Sequence, residues 1–396
     1  YRLYAIRDES SNNIYDPDND RIAFHDSIIR PTIVATDDLP ELMKYDMKDT
    51  LHCEARKAEY EMVMFREKPS KQMIVNKVRT QPRSSYITFM APSAQIDSLW
   101  IKGIPANRLI TQFNIQKDSL EIWVNDRKRM PDTLHLFVDY MKTDTTGKMV
   151  PFTEHVRLAM EKAGSKSKSS RRDIKHEDTT CVMKVTAEPE NIEQYGFQIE
   201  FNYPIIYENF DSLKLISINP RQQESKMKFS VVRDTLNLRK YTLTPEGKLM
   251  TGYEYKLKVP HRKFRDINGF YNDSTEVKVS LPKDDKLSTL ILDMTNVNHK
   301  YIIDLLNEKR DKVLRSYIIE KDAKLTFPYL KEGKYSVRMT EDKNKNGMVD
   351  TGNLLEHRQP EKVIFYKLKD GSYILNIKEA TEVEQRLDIA KLFGEN

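Results

Sequence analysis

Residues 341–353, EDKNKNGMVDTGN, set Asp342, Asn344 and Asn346 at alternate positions, follow them with Gly347 and close with Asp350. A calcium loop of the helix-loop-helix kind needs oxygens at positions 1, 3, 5, 7 and 9, a glycine at 6 and a bidentate glutamate at 12. Asp342, Asn344, Asn346, the Met348 carbonyl and Asp350 fill the first five and Gly347 fits, but position 12 is Asn353. With two carboxylates and no bidentate one, affinity for Ca2+ is expected to be poor. The run is expected to be a strand-connecting turn in which Asx side chains cap the backbone and Gly347 is left-handed. No cofactor is expected, and calcium is the one ion for which oxygens are at hand.

Other chemistry is sparse. Histidines at 25, 52, 135, 155, 176, 261, 299 and 357 include no pair at three or four residues, and only His52 has a neighbouring cysteine, Cys53. That scatter argues against zinc. No G-x-S-x-G, H-E-x-x-H or G-x-x-x-x-G-K occurs. Carboxylate pairs for glycoside hydrolysis depend on tertiary spacing, but modules of about 100 residues leave little room for an elaborated cleft. The chain is therefore expected not to be an enzyme. Trp100 and Trp123 are the candidate binding residues: aromatics on a sheet face stack on sugars or anchor a protein. In LEIWVND, Ile122 and Val124 share one face and Trp123 takes the other, for a ligand or for packing between modules.

These residues sit in a chain of 396 with 12 glycines, 20 tyrosines and 15 phenylalanines. The length exceeds what one core supports. The scarcity of glycine disfavours nucleotide-cradling α/β folds, which spend glycines on phosphate loops. The net charge of +5, from 65 basic and 60 acidic residues interspersed along the chain, describes a solvated surface and no nucleic-acid partner. Cys53 and Cys181 are expected in different modules, unpaired. No apolar run approaches the roughly 18 residues of a membrane span. YRLYAIRD opens as an alternating strand, with no secretory signal.

Two internal repeats give the layout. Residues 1–16 match 335–350 at an offset of 334, aligning Tyr1 with Tyr335, Asp8 with Asp342, Asn12 with Asn346 and Asp16 with Asp350. About fifty residues of module precede the second copy and none precede the first, which is expected to be truncated. Residues 144–158 match 266–280 at an offset of 122, aligning Asp144 with Asp266 and Gly147 with Gly269. Asp-Ser/Thr-Leu recurs at 97, 118, 132, 211 and 234, each time opening an alternating apolar run. There the Asp carboxylate is expected to accept an N–H two residues on and end a turn before a strand. Short strands so punctuated mean sandwich or barrel modules. Helix is minor, with candidates at 39–48 and 383–393, the latter equally readable as a last strand. EKAGSKSKSSRRDIKHED is a charged linker or long hairpin.

LKEGKYSVRMTEDKNKNGMVDTGNLLEHRQPEKVIFY (331–366) and YRLYAIRDESSNNIYDPDNDRIAFHD resemble prealbumin-like (transthyretin-like) domains, in which a D-x-N-x-N-G-x-x-D-x-G-N loop joins two strands. FQIEFNYPI through YEYKLKVPHRKFRDINGFYND (197–273) is similar to bacterial, S-layer-type Ig-like domains. Together the chain resembles Bacteroidota envelope lipoproteins that combine both domain types. The first loop departs from the pattern at Ser10 and Asn13. The resemblance implies an all-β, elongated series of sandwiches: the end of a truncated prealbumin-like domain at 1–50, Ig-like sandwiches at 57–160 and 178–285 around a basic linker at 161–178, and a prealbumin-like sandwich at 286–396. It further implies a non-catalytic spacer or docking subunit of an outer-membrane assembly, periplasmic or at the cell surface. Its partners would be other envelope proteins, and the membrane would be reached only through an N-terminal lipid anchor outside this chain. A surface carbohydrate-binding protein is the alternative. Coplanar exposed aromatics favour the sugar binder, and a large apolar edge patch favours the docking subunit.

Overall fold

The computed structural model describes residues 1–30, 60–126, 128–160 and 180–394. Cys53, the helix candidate at 39–48 and the basic linker at 161–178 lie outside them. Two compact units emerge, one of residues 1–69 with 346–362, the other of residues 70–345 with 363–396. Among the described residues no helix is long and apolar enough to cross a membrane.

In the smaller unit, β1 (Tyr4–Arg7) and β2 (Arg21–Phe24) form an antiparallel hairpin. Phe65 pairs with Ile22 through two backbone hydrogen bonds of 2.9 Å, extending the hairpin by one bridge. Ile22, Phe24 and Phe65 make a small core with Tyr15 and Leu354. Residues 346–362, which the sequence groups with the last module, pack here instead. Gln359 donates to the Phe24 carbonyl at 2.8 Å and the Thr351 hydroxyl to the Arg66 carbonyl at 2.6 Å.

The larger unit begins with seven strands: β3 (Ile74–Gln81), β4 (Ser84–Phe89), β5 (Ile96–Ile101), β6 (Leu109–Phe113), β7 (Ser119–Val124), β8 (Thr133–Thr143) and β9 (Met149–Ala159). Two sheets result, β3-β4-β7-β6 and β5-β8-β9. Lettered A to G, they are A-B-E-D against C-F-G, the immunoglobulin constant-type arrangement. The period of two in each strand builds it: Leu134, Leu136, Val138 and Tyr140 of β8 point inward with Ile87, Phe89, Leu120, Ile122, Val156 and Leu158. Each such side chain contributes about 1.5–3 kcal/mol on burial.

The next sandwich repeats this plan with β10 (Met183–Thr186), β11 (Phe197–Phe201), β12 (Ile205–Glu208), β13 (Lys214–Ile218), β14 (Glu224–Met227), β15 (Phe229–Arg233), β16 (Lys240–Pro245), β17 (Glu254–Val259), β18 (Phe264–Asp266) and β19 (Thr275–Ser280), plus the one-turn helix α1 (Ile192–Tyr195). Its sheets run β10-β11-β16-β15 and β14-β13-β17-β19, or A-B-E-D against C′-C-F-G, with β12 and β18 paired alongside. The Asp-x-x-Gly turns occupy corresponding places and close identically. Asp144 Oδ1 accepts the N–H groups of Thr146 and Lys148 at 2.8 and 2.9 Å, and Asp266 Oδ1 those of Asn268 and Phe270 at 2.9 and 3.0 Å. Gly147 and Gly269 are left-handed, at φ +83° and +91°. Cys181 is a buried free thiol, its pKa pushed up to about 12 by burial and then by Asp266.

The third sandwich comprises β20 (Ser288–Thr295), β21 (Tyr301–Asn307), β22 (Val313–Ile319), β23 (Ala323–Leu330), β24 (Gly333–Glu341), β25 (Val363–Phe365), β26 (Leu375–Ile377) and β27 (Glu382–Asp388), ending in α2 (Ile389–Phe393). One sheet is β23-β20-β27, with β27 parallel to β20; the other is β22-β21-β24-β25, with β26 also on β24. The segment 383–393 thus divides into strand and helix, because Asp388 accepts the Lys391 N–H at 3.2 Å as an N-cap.

The Asp-Ser/Thr-Leu rule holds less widely than expected. Near Asp118 and Asp211 the capping oxygen comes from an upstream asparagine: Asn114 Oδ1 accepts the Ser119 N–H at 3.1 Å and Asn209 Oδ1 the Ser212 N–H at 3.2 Å. Asp234 does accept the N–H two residues on, from Leu236 at 2.7 Å, but it opens a hairpin turn between β15 and β16 instead of a strand.

Two glycines test this account. A Cβ at Gly196 (φ +56°) would run into the Leu243 carbonyl, whereas at Gly147 it meets nothing within 4 Å. In chemical denaturation Gly196→Ala is expected to cost about 3 kcal/mol and Gly147→Ala about 1 kcal/mol. Equal costs would contradict the close approach.

Candidate functional site

The two copies of the asparagine-rich loop share a backbone. Ser11 and Lys345 are left-handed at φ +56° and +62°, and Asn13 and Gly347 at +60° and +76°, all at the offset of 334. In each copy an asparagine side chain closes an Asx turn at 2.8 Å, Asn12 Oδ1 accepting the Ile14 N–H and Asn346 Oδ1 the Met348 N–H. In each copy the loop joins two antiparallel strands, Tyr4, Ala5 and Ile6 standing opposite Phe24, Ala23 and Ile22, and Arg338, Met339 and Thr340 opposite Phe365, Ile364 and Val363, a partner strand set seven residues further on. Asp8 accepts the Ser10 and Asn13 N–H groups at 3.0 and 2.7 Å, which holds its carboxyl below the ordinary range.

The proposed ligands also serve other partners. In the larger unit Asp342 is fully buried and pairs with Lys300 Nζ at 2.9 Å; Asn344 precedes the left-handed Lys345. In the smaller unit Asp350 Oδ1 pairs with Lys68 Nζ at 2.5 Å, its Oδ2 accepts from the Asn346 amide at 2.5 Å, and its N–H donates to Glu361 Oε2 at 2.8 Å. Among the described residues no group of three or more His, Cys, Asp or Glu is arranged for a metal ion.

Trp123 requires a correction as a candidate binding surface. It does take the face opposite Ile122 and Val124, yet it is 1% exposed, because the second sandwich covers that face. The Arg239 guanidinium lies 5.5 Å above the indole and pairs with Glu121 at 3.2 Å. Beside it the Gln112 amide bridges two backbone groups of the neighbouring sandwich, donating to the Leu236 carbonyl and accepting the Leu238 N–H at 3.0 Å.

The junction of the second and third sandwiches uses the same device. Gln194 donates to the Ser316 carbonyl at 2.6 Å and accepts the Ser316 N–H at 3.4 Å. Arg315, 2% exposed, donates to the carbonyls of Glu190 at 2.6 Å and of Pro328. Lys312 and Lys331 pair with Glu188 and Glu190 at 2.5 and 2.8 Å. Beside them lies an open cleft of about 520 Å3 that reaches Tyr335. Burial, reinforced by Glu190, pushes the Tyr335 phenol up to about 12.

Trp100, 39% exposed, is the tryptophan that reaches solvent. It stacks on Phe137 at 5.3 Å and 7°, and Phe137 on His155 at 4.6 Å and 13°. The row crosses β5, β8 and β9 on their outer face. The rings turn their faces to one another, unlike the coplanar platform expected of a sugar site. Next to it Asp139 accepts the Ser98 and Thr153 hydroxyls at 2.6 Å each, and these hold its carboxyl below the ordinary 3.8. The β8–β9 register also brings His135 and His155 together, a proximity hidden by twenty residues of sequence. The five-residue turn at Asp144 was the signal that could have located it.

No protein-family model matches the chain, and neither does any curated protein. Similar solved structures include the group B streptococcus pilus 2b backbone protein, at 10% identity over 52% of this chain and 96% of that one, TM-score 0.16. BcpA, the major pilin subunit of Bacillus cereus, shares 12% identity over 75% and 94%, TM-score 0.16. The Bacteroides ovatus mixed-linkage glucan utilization locus SGBP-B, in complex with a mixed-linkage heptasaccharide, shares 10% over 65% of each chain, TM-score 0.19. At these scores no function transfers, and the fold stands on the strand pairing.

Three measurements follow. Gly347→Ala is expected to lower stability by about 1 kcal/mol, from the left-handed backbone alone, since a Cβ there meets nothing. Millimolar calcium against chelator is expected to leave the melting temperature unchanged, and a rise of several degrees would make the loop a calcium site. Because Asp139 has a depressed pKa in the folded state, its stabilisation is present above pH 3.8 and lost as pH falls from there through the lowered value. Asp139→Asn is expected to flatten that acid limb of a stability–pH titration.

Proposed function

We propose that this chain belongs to a non-catalytic, multidomain cell-envelope lipoprotein of the Bacteroidota type, working as a spacer or docking subunit of an outer-membrane protein assembly. The observation that carries the reading is the pair of junctions built on Gln112 and Gln194, where a side-chain amide takes up backbone groups of the next sandwich. A linker that only tethers needs no such pairing, whereas a subunit that presents surfaces in fixed relation does. The loop and hairpin resemblance to prealbumin-like domains supports the envelope assignment. Partners are other envelope or outer-membrane proteins, with a lipid anchor outside this chain, at the periplasmic or outer face. Neither nucleic acid nor a cofactor has a part in it.

Surface carbohydrate binding remains the rival on one observation, the exposed Trp100 beside Asp139. The stacking of Trp100 on Phe137 weighs against it, since one ring face is already used.

The test loosens the junctions. Gln112→Ala with Gln194→Ala is expected to cost about 1–2 kcal/mol at each junction and to let the sandwiches reorient, read as increased independent tumbling by NMR relaxation. The envelope proteins crosslinked to the full-length wild type in its native membrane should be recovered in lower yield with the double variant. Full recovery from a loosened chain, or saturable binding of an envelope glycan that Trp100→Ala abolishes, would overturn the reading.

A further inference from the structure

We propose that His135 and His155 form a two-imidazole site for a divalent late transition-metal ion, Cu2+ foremost, on the outer face of the first sandwich. His135 Nδ1 and His155 Nε2 lie 2.9 Å apart, with ring planes within 20° and centres 5.1 Å apart. The nitrogens therefore meet edge to edge along the line joining the rings, sharing one proton. An ion that displaces that proton would bind two neutral imidazoles from beside the line joining the nitrogens.

Cu2+ leads the affinity order among divalent first-row ions, which puts it ahead of Zn2+ at two imidazoles. With metal–nitrogen bonds of about 2.0–2.1 Å, a turn of roughly 45° of each ring about its Cβ–Cγ bond aims both lone pairs at one ion beside the present hydrogen bond, and water completes the coordination.

The support is built in. The Phe137 ring, itself backed by Trp100, packs against one face of the His155 imidazole, and the Lys102 N–H holds the His135 carbonyl at 2.9 Å. Arg157 is the register partner of His135 and adds positive charge, and among the described residues the pair belongs to no group of three or more metal-ligating side chains, so affinity belongs in the micromolar range.

The test is titration of the full chain with CuSO4 at pH 7.5, following Trp100 fluorescence and the copper EPR spectrum. Expected are saturation at one equivalent, a tetragonal signal with nitrogen hyperfine structure, and tryptophan quenching, since Trp100 stands two stacked rings from the ion. His135→Gln and His155→Gln, each with the metal-free melting temperature of the wild type, should weaken this binding about tenfold or more. Trp100→Phe should keep the EPR signal and lose most of the quench. Absence of saturable binding, a copper site retained by both histidine variants, or tighter binding of Zn2+ than of Cu2+ would each overturn the proposal.

Discussion

A sandwich leaves backbone N–H and C=O groups at its margins, and groups that become buried where another module packs must find partners there or cost the structure a hydrogen bond each. Everything beyond the individual cores of the larger unit depends on how that requirement is met. Gln112 and Gln194 meet it alike, each offering a carbonyl and an amide in the geometry of a missing strand residue. Arginine completes both junctions: Arg239 covers Trp123, and Arg315 spends its donors on carbonyls. Burial lowers the Arg315 pKa, but a guanidinium starts far above neutrality and stays charged.

A second buried arginine shows the same logic inside one sandwich. Arg79, 2% exposed, reaches the carbonyls of Pro131 and Asp132 at 2.9 and 3.0 Å and that of Pro82 at 2.8 Å. These carbonyls belong to turns between strands, which no sheet ladder can satisfy. One side chain gathers them, so the desolvation cost of the charge is set against several carbonyls, of which that of Asp132 also takes the Met160 N–H at 3.4 Å.

What could be read from the sequence follows from the range of the interaction involved. Strand alternation is local, and the inward row of Leu134, Leu136, Val138 and Tyr140 is visible in residue order. So are the turns at Asp144 and Asp266, where one carboxylate captures N–H groups two and four residues away. The Asp-Ser/Thr-Leu motif misled because the oxygen that caps the turn belongs to Asn114 or Asn209, just outside the tripeptide. Trp123 shows the next limit: parity names its face, but whether a face meets water is decided by Arg239, 116 positions later. The His135–His155 pair lies between these cases, within reach once the hairpin register is counted out from the turn.

The two copies of the asparagine-rich loop meet one backbone requirement with different residues. Both must place two left-handed residues two positions apart, and the chain does so with Ser11 and Asn13 in one copy and Lys345 and Gly347 in the other. The requirement lies in the backbone, and serine, asparagine, lysine and glycine all satisfy it at different cost. Oxygen-rich positions persist because Asn12 and Asn346 close the same Asx turn. Of the aspartates ahead of them, Asp8 caps its own loop and Asp342 forms a buried pair with Lys300. Alternate oxygens are what a chain needs to cap its own N–H groups through two successive reversals, and Asn12 and Asn346 are used in that way.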